Sequence, residues 1–195
     1  PNLSRIARQG VSGPLRSMRP ISSPRIWNSI ATGKVPRKHG IVDFARKDAE
    51  GTMRLLLSSD RKVHALWNIA SSVGLRVSVV NWWNTYPPER IRGVMVSDHL
   101  LAKNIDGRLA LTRAAAPPTG SLIFPESLGP GLSAHVEDGA LPIPIEDPFE
   151  GGDALPPLVK REGLSRWFQQ DAALARIALS IEETEHPDLS MVLLT

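Results

Sequence analysis

The chain has 195 residues, 23 Lys and Arg against 20 Asp and Glu, a net charge of +3 and no cysteine. That length suffices for one domain with a real core. The lack of cysteine excludes a disulfide framework, a thiolate metal site and a cysteine nucleophile, and no apolar run approaches the roughly 20 residues that span a bilayer.

In chain order, residues 2–9 read as a helix with Leu3 and Ile6 on one face, ended by Gly10. Residues 11–18 read as a short strand carrying Val11 and Leu15. The organising stretch follows. Ser23 reads as an N-cap and Pro24 as the first helical residue, where its missing N–H costs nothing. Ile26, Trp27 and Ile30 give an apolar stripe, Gly33 stops the helix, and Pro36 keeps it from resuming. A hydroxyl at such a helix start faces the positive end of the dipole and several free N–H groups. It can serve simply as a cap. It can also attack a phosphate held at the same helix end, if something lowers its pKa. Ser22 is a weaker candidate for the same role.

His39, before Gly40, reads as a residue that fixes a loop. Residues 61–73 read as the clearest helix, capped by Asp60, with Val63, Leu66, Trp67, Ala70 and Val73 at helical spacing and Trp67 in the core. Residues 75–81 then read as a buried, valine-rich strand. Helix, glycine and apolar strand in that order indicate an α/β unit with a parallel sheet. Ligands of open α/β folds bind beyond the carboxyl ends of strands. Trp82, Trp83 and Thr85 lie at that exit, so they are candidate substrate-binding residues; the two indoles can line a pocket or seal the sheet end. Residues 94–96 read as a strand, followed by a brief helix through residue 102 capped by Ser97 or Asp98. Asp98 beside His99 reads as a solvated helix start.

Residues 104–158 hold nine of the 17 prolines and read as an irregular insertion or cap, with a short helix near 121–128. The acidic residues there read as solvated loop charge. Residues 163–185 form a second strong helix, with Leu164, Trp167, Phe168, Leu174, Ile177, Ala178 and Ile181 on its core face and Pro187 as its stop. Residues 189–194 read as another buried strand. Basic residues crowd the first 50 positions, and none occurs between Arg113 and Lys160. They lack interleaved aromatic residues, so a solvated surface is the favoured reading and no nucleic-acid partner is expected.

The run from Ser23-Pro24 through Thr32-Gly33-Lys34, then Pro36 and His39-Gly40-Ile41, resembles the nucleophile segment of the type I phosphodiesterase/nucleotide pyrophosphatase family, within the alkaline phosphatase superfamily. Residues 62–98 resemble the family's next segment through Ala65-Leu66-Trp67-Asn68-Ile69, Gly74, Val79-Val80, Trp82-Trp83, Thr85, Pro87, Glu89, Gly93 and Val96-Ser97-Asp98. The opening Pro1–Ile6 stretch is similar to the helix after the family's first metal-binding strand. The resemblance covers about the first half of the chain.

It implies an alkaline-phosphatase-like three-layer α/β/α fold with a mainly parallel sheet, here incomplete and carrying the Pro-rich insertion. Residues 1–103 would be the N-terminal part of the catalytic core, 104–158 the insertion, and 159–195 the return to the core. It implies two divalent metal ions, zinc in the family, with the Ser23 hydroxyl as nucleophile and metal ligand. The metal would lower the hydroxyl's pKa, and a covalent phospho-enzyme would form. The other expected ligands fall before Pro1 and after Thr195. A start at Pro1 rather than Met, and an end in an apolar run, fit a piece of a longer protein that is inactive alone. The expected substrate is a small phosphodiester or nucleotide.

Two departures stand out. Ser23 occupies a position that is threonine in the animal enzymes. Phe44 replaces an asparagine that helps hold the phosphate oxygen in eukaryotic nucleotide pyrophosphatases, and it cannot donate that hydrogen bond. A phosphatase or sulfatase-like relative, or a non-catalytic module binding phosphate or nucleic acid, are the competing readings.

Overall fold

The computed structural model describes residues 2–101, 120–137 and 161–194. Helix α1 spans Asn2–Gln9 as expected, but Ile6 is exposed. Residues 11–18 are not a strand: they are irregular, and Val11 and Leu15 are almost fully exposed, so burial gives these apolar side chains nothing to hold an extended segment in place.

Helix α2 spans Ser23–Thr32 and ends on Gly33 in the left-handed conformation, its N–H bonded to the Ser29 carbonyl. Its N-cap is Ser22, one residue earlier than the sequence suggests, so Ser23 is the first helical residue and Pro24 the second. The buried face is Pro24, Asn28 and Ala31 with Trp27 partly covered, whereas Ile30 is 54% exposed. The expected stripe is therefore rotated, because Asn28 finds buried polar partners that draw that side inward. Pro36 does not merely block a helix. It opens a short one, α3, Pro36–His39, as the first-turn position allows.

Strands β1 (Ala45–Lys47) and β2 (Met53–Leu55) pair as an antiparallel hairpin. Its turn is organised by Asp48, whose carboxylate accepts the Glu50 and Thr52 N–H groups. A 3-10 turn at Ser58–Asp60 follows. Helix α4 spans Leu66–Ser72, five residues shorter at its start than expected. Asp60 cannot cap it, since its carboxylate holds the Leu57 N–H and the Arg54 guanidinium. Asn68 instead accepts the Ala65 N–H at 2.8 Å. Trp67 and Ala70 are buried; Leu66 and Val73, expected on the same face, are exposed.

The main sheet has the order β5-β4-β3-β6. Strand β3 (Val77–Val80) runs parallel to β4 (Gly93–Val96) and to β6 (Leu189–Val192), and β5 (Ile123–Phe124) is antiparallel at one edge. The sheet is thus mixed but mainly parallel. Gly93 crosses β3 at φ +132°, and a Cβ there would stand 2.1 Å from the Val77 carbonyl oxygen, so only glycine lets the strands pair at this point. No helix forms directly after β4: residues 98–99 are a turn, with the Leu100 N–H on the Ser97 carbonyl.

Most of residues 104–158 lie outside the described residues. Residues 120–137, read from the sequence as irregular with a short helix near 121–128, contain β5 and a 3-10 turn Glu126–Leu128 over that span, and the α-helix, α5, comes after it at Gly129–Glu137. The pairing of β5 with β4 supplies order that proline-rich composition hides. Helix α6, Arg161–Glu185, matches the expected long helix. It buries Leu174, Ile177 and Ile181, while Trp167, expected in the core, is 55% exposed.

Two hydrophobic clusters lie on opposite sides of the sheet. One gathers Val77, Val79 and Met95 with Ala31 of α2 and Trp67 and Ala70 of α4. The other gathers Val80, Val94, Val96 and Ile123 with Leu132 of α5 and Leu174, Ile177 and Ile181 of α6. Period-two alternation along β3 and β4 divides their side chains between these clusters. Strand β6 is half-exposed rather than buried, being at an edge of the described sheet. Among the described residues no helix is long and apolar enough to cross a membrane.

Candidate active site at the carboxyl rim of the sheet

The start of α2 meets the carboxyl end of β3. Trp82 Nε1 donates to the Trp27 carbonyl at 3.2 Å, and the two indoles pack edge to face with centroids 5.1 Å apart. The Trp67 ring lies behind Trp82 at 6.2 Å. Phe44 packs edge-on against Trp83 at 4.9 Å. This accounts for an aromatic residue at position 44: its ring packs against Trp83 at the margin of the buried cluster under the rim.

At the helix start itself, Ser23 is exposed. The Ser22 hydroxyl does not cap the helix; it lies 3.3 Å from Asp43 Oδ1, to which it donates. The same carboxylate oxygen accepts the Phe44 N–H at 2.8 Å. The Ser22 carbonyl accepts the Ile26 N–H. First-turn N–H groups therefore remain free of side-chain caps, and an anion is the natural partner for them.

The rim residues named from the sequence are present but largely enclosed. Trp82 and Trp83 are only 6% and 7% exposed, so any part they have in substrate binding is played through the wall they form rather than through an open stacking face. Thr85 is fully buried, and its hydroxyl donates to the Trp82 carbonyl at 2.6 Å. It also accepts the Asp98 N–H. Asp98, expected to sit in a solvated helix start, instead faces inward. It accepts the N–H groups of Asn84 and Thr85. Desolvation raises its pKa above the ordinary carboxylate value, opposed by the charge of neighbouring His99 and by those donors. The His99 ring stacks on Tyr86 at 4.7 Å.

His39 is buried, as a loop-fixing residue should be. Its Nδ1 accepts the Ile41 N–H, and its Nε2 lies 3.0 Å from Ser29 Oγ on α2. Burial lowers its pKa, a backbone hydrogen bond with Arg25 opposes this, and the charges of Arg61 and Arg25 add to the lowering.

Sequence reasoning missed a polar knot beneath the rim. The Arg61 side chain, 2% exposed, pairs with Glu89 and lies over the Trp67 ring. Glu89 also accepts Trp67 Nε1 and Asn68 Nδ2. Arg61 donates to Asn28 Oδ1 and to the Asn84 carbonyl, both at 3.4 Å. An asparagine inside an otherwise apolar helix face is the signal that points to it, since that residue is a poor helix former unless its amide has work elsewhere.

Among the described residues no group of three or more His, Asp or Glu converges as a metal site. These residues by themselves do not fit a two-metal centre. No curated protein and no solved structure matches the chain. A family model does: Type I phosphodiesterase / nucleotide pyrophosphatase, over residues 1–195. With the whole chain matched, the protein belongs to the type I phosphodiesterase/nucleotide pyrophosphatase family.

Proposed function

We propose that the protein is a metal-dependent phosphodiesterase or nucleotide-pyrophosphatase-like hydrolase, built on an alkaline-phosphatase-like fold, with Ser23 as its nucleophile. The supporting observation is the exposed Ser23 at the first position of α2, a helix whose start packs on the carboxyl end of β3. Family membership supports the reaction class.

The chain's own groups carry the chemistry as follows. A phosphate oxygen binds the free N–H groups of the first turn of α2. Ser23 Oγ forms a bond to phosphorus, the bond from phosphorus to the leaving oxygen breaks, and the serine proton passes to solvent. Water then attacks the seryl ester, releasing the monoester and restoring the serine. Asp43, held by Phe44 N–H and by Ser22, keeps the neighbouring hydroxyl from turning onto the free amides. Trp82 and Trp83 form the wall of the substrate site, and the buried Thr85 braces that wall from beneath by joining the Trp82 carbonyl to Asp98. Two divalent ions, zinc in the family's pattern, would supply Lewis acidity when bound, and among the described residues Ser23 is the one that would reach them.

The test is turnover of an aryl phosphodiester by the intact protein with zinc present. Ser23→Ala should lower kcat by on the order of a thousand-fold or more. Unchanged turnover in the variant removes Ser23 from the mechanism.

A further inference from the structure

We infer that Asn28 and Asn84 form a positioning pair that sets where Ser23 stands relative to the sheet rim, an inference that rests on Ser23 being the nucleophile. Asn28 is fully buried, just over a turn along α2 from Ser23. Its amide donates to the Pro24 carbonyl at 2.9 Å and to Asn84 Oδ1 at 2.9 Å. The Pro24 carbonyl belongs to the residue that directly follows Ser23. The backbone beside the serine is therefore tied, through one side chain, to the loop that leaves β3.

Asn84 is itself over-determined. It stands at φ 60°, a left-handed conformation that asparagine tolerates better than most residues. Its Nδ2 donates to the Leu56 carbonyl at 2.8 Å, and its N–H donates to Asp98 Oδ2 at 2.9 Å. Its carbonyl, like Asn28 Oδ1, accepts from Arg61. Asn84 thus joins α2, the segment after β2, and the turn after β4 at one point.

An apolar pair would fill the same space with no risk of an unpaired amide. What the amides add is direction. Apolar packing between Trp27 and Trp82 lets a helix slide or rotate slightly, whereas two hydrogen bonds of fixed geometry do not. For in-line attack that precision matters, since a misplacement of about 1 Å can cost on the order of 100-fold in rate.

The experiment compares wild type, Asn28→Ala, Asn84→Gly and the double variant of the intact protein, with Ser23→Ala alongside. Each variant is melted first and assayed well below its midpoint. Asn84→Gly keeps the left-handed backbone accessible, so it carries the test alone should Asn28→Ala fail to fold. Each folded single variant should lose roughly 10- to 100-fold in kcat with KM little changed. The double variant should fall little below the worse single, because the two residues act as a unit. Folded variants with wild-type kcat, or losses that multiply in the double variant, overturn the pairing. Should Ser23→Ala lose turnover while both asparagine variants keep it, this inference alone fails. Should Ser23→Ala keep full turnover, the nucleophile assignment fails, and this pair loses the object it would position.

Discussion

His39 Nε2 and Ser29 Oγ lie 3.0 Å apart, joining the last residue of α3 to the body of α2. With Nδ1 accepting the Ile41 N–H, the ring is held neutral, its remaining proton on Nε2 toward the serine. Burial and the charges of Arg61 and Arg25 hold its pKa below the ordinary value. The unfolded chain therefore binds this proton more readily than the folded one, and stability rises with pH across the window between the two pKa values. The contribution is complete above about pH 6.5 and is lost as pH falls through the depressed value. Denaturant unfolding from pH 8 downward should show wild type losing stability below that point more steeply than His39→Asn. Parallel profiles for the two would contradict this role.

The Arg61–Glu89 pair makes a second prediction. Glu89→Leu strips a nearly buried guanidinium of its counter-charge and leaves Trp67 Nε1 and Asn68 Nδ2 without their acceptor. Breaking such a pair from one side costs about 3–5 kcal/mol. The double variant Arg61→Met/Glu89→Leu should lose less than the sum of the single changes, read from urea midpoints.

Gly93→Ala should disrupt the central pairing. The added Cβ would meet the Val77 backbone at 2.1 Å, in a conformation that alanine rarely adopts. A loss of about 3 kcal/mol or more is expected, measured by thermal or urea unfolding. Wild-type stability would mean that β3 and β4 are not in the register described.

How much of this was legible in the sequence differs from element to element. The helix ended by Gly33, the strand around Val77–Val80 and the long helix before Pro187 are strongly periodic or sharply punctuated, and all three form, the first beginning one residue earlier than its capping pattern suggests. Their facing was less legible. Ile30 and Trp167 are apolar but point outward, while Asn28 and Arg61 are polar and turn inward, because partners far along the chain satisfy them. A single helix period cannot foresee a hydrogen bond from residue 28 to residue 84. Asp98 shows the same limit: beside His99 it reads as solvated, yet two backbone N–H groups from the β3 exit draw it in. Strand β5 was hidden for another reason, since two residues among prolines carry no alternation to detect.

Metal dependence is open to a direct check. Dialysis of the intact protein against a strong chelator should abolish phosphodiester turnover, and zinc added back should restore it. Full turnover after chelation would contradict the metal part of the proposed mechanism.

The central claim is that the Ser23 oxygen forms a covalent bond to phosphorus during turnover. Acid quenching of the intact protein during hydrolysis of an aryl phosphodiester, followed by peptide mass spectrometry, tests it most directly. The account predicts an adduct on Ser23 with the mass of the phosphoryl group still bearing its second ester substituent, absent from Ser23→Ala. An adduct on Ser22 or another residue, or full turnover by Ser23→Ala, would contradict it.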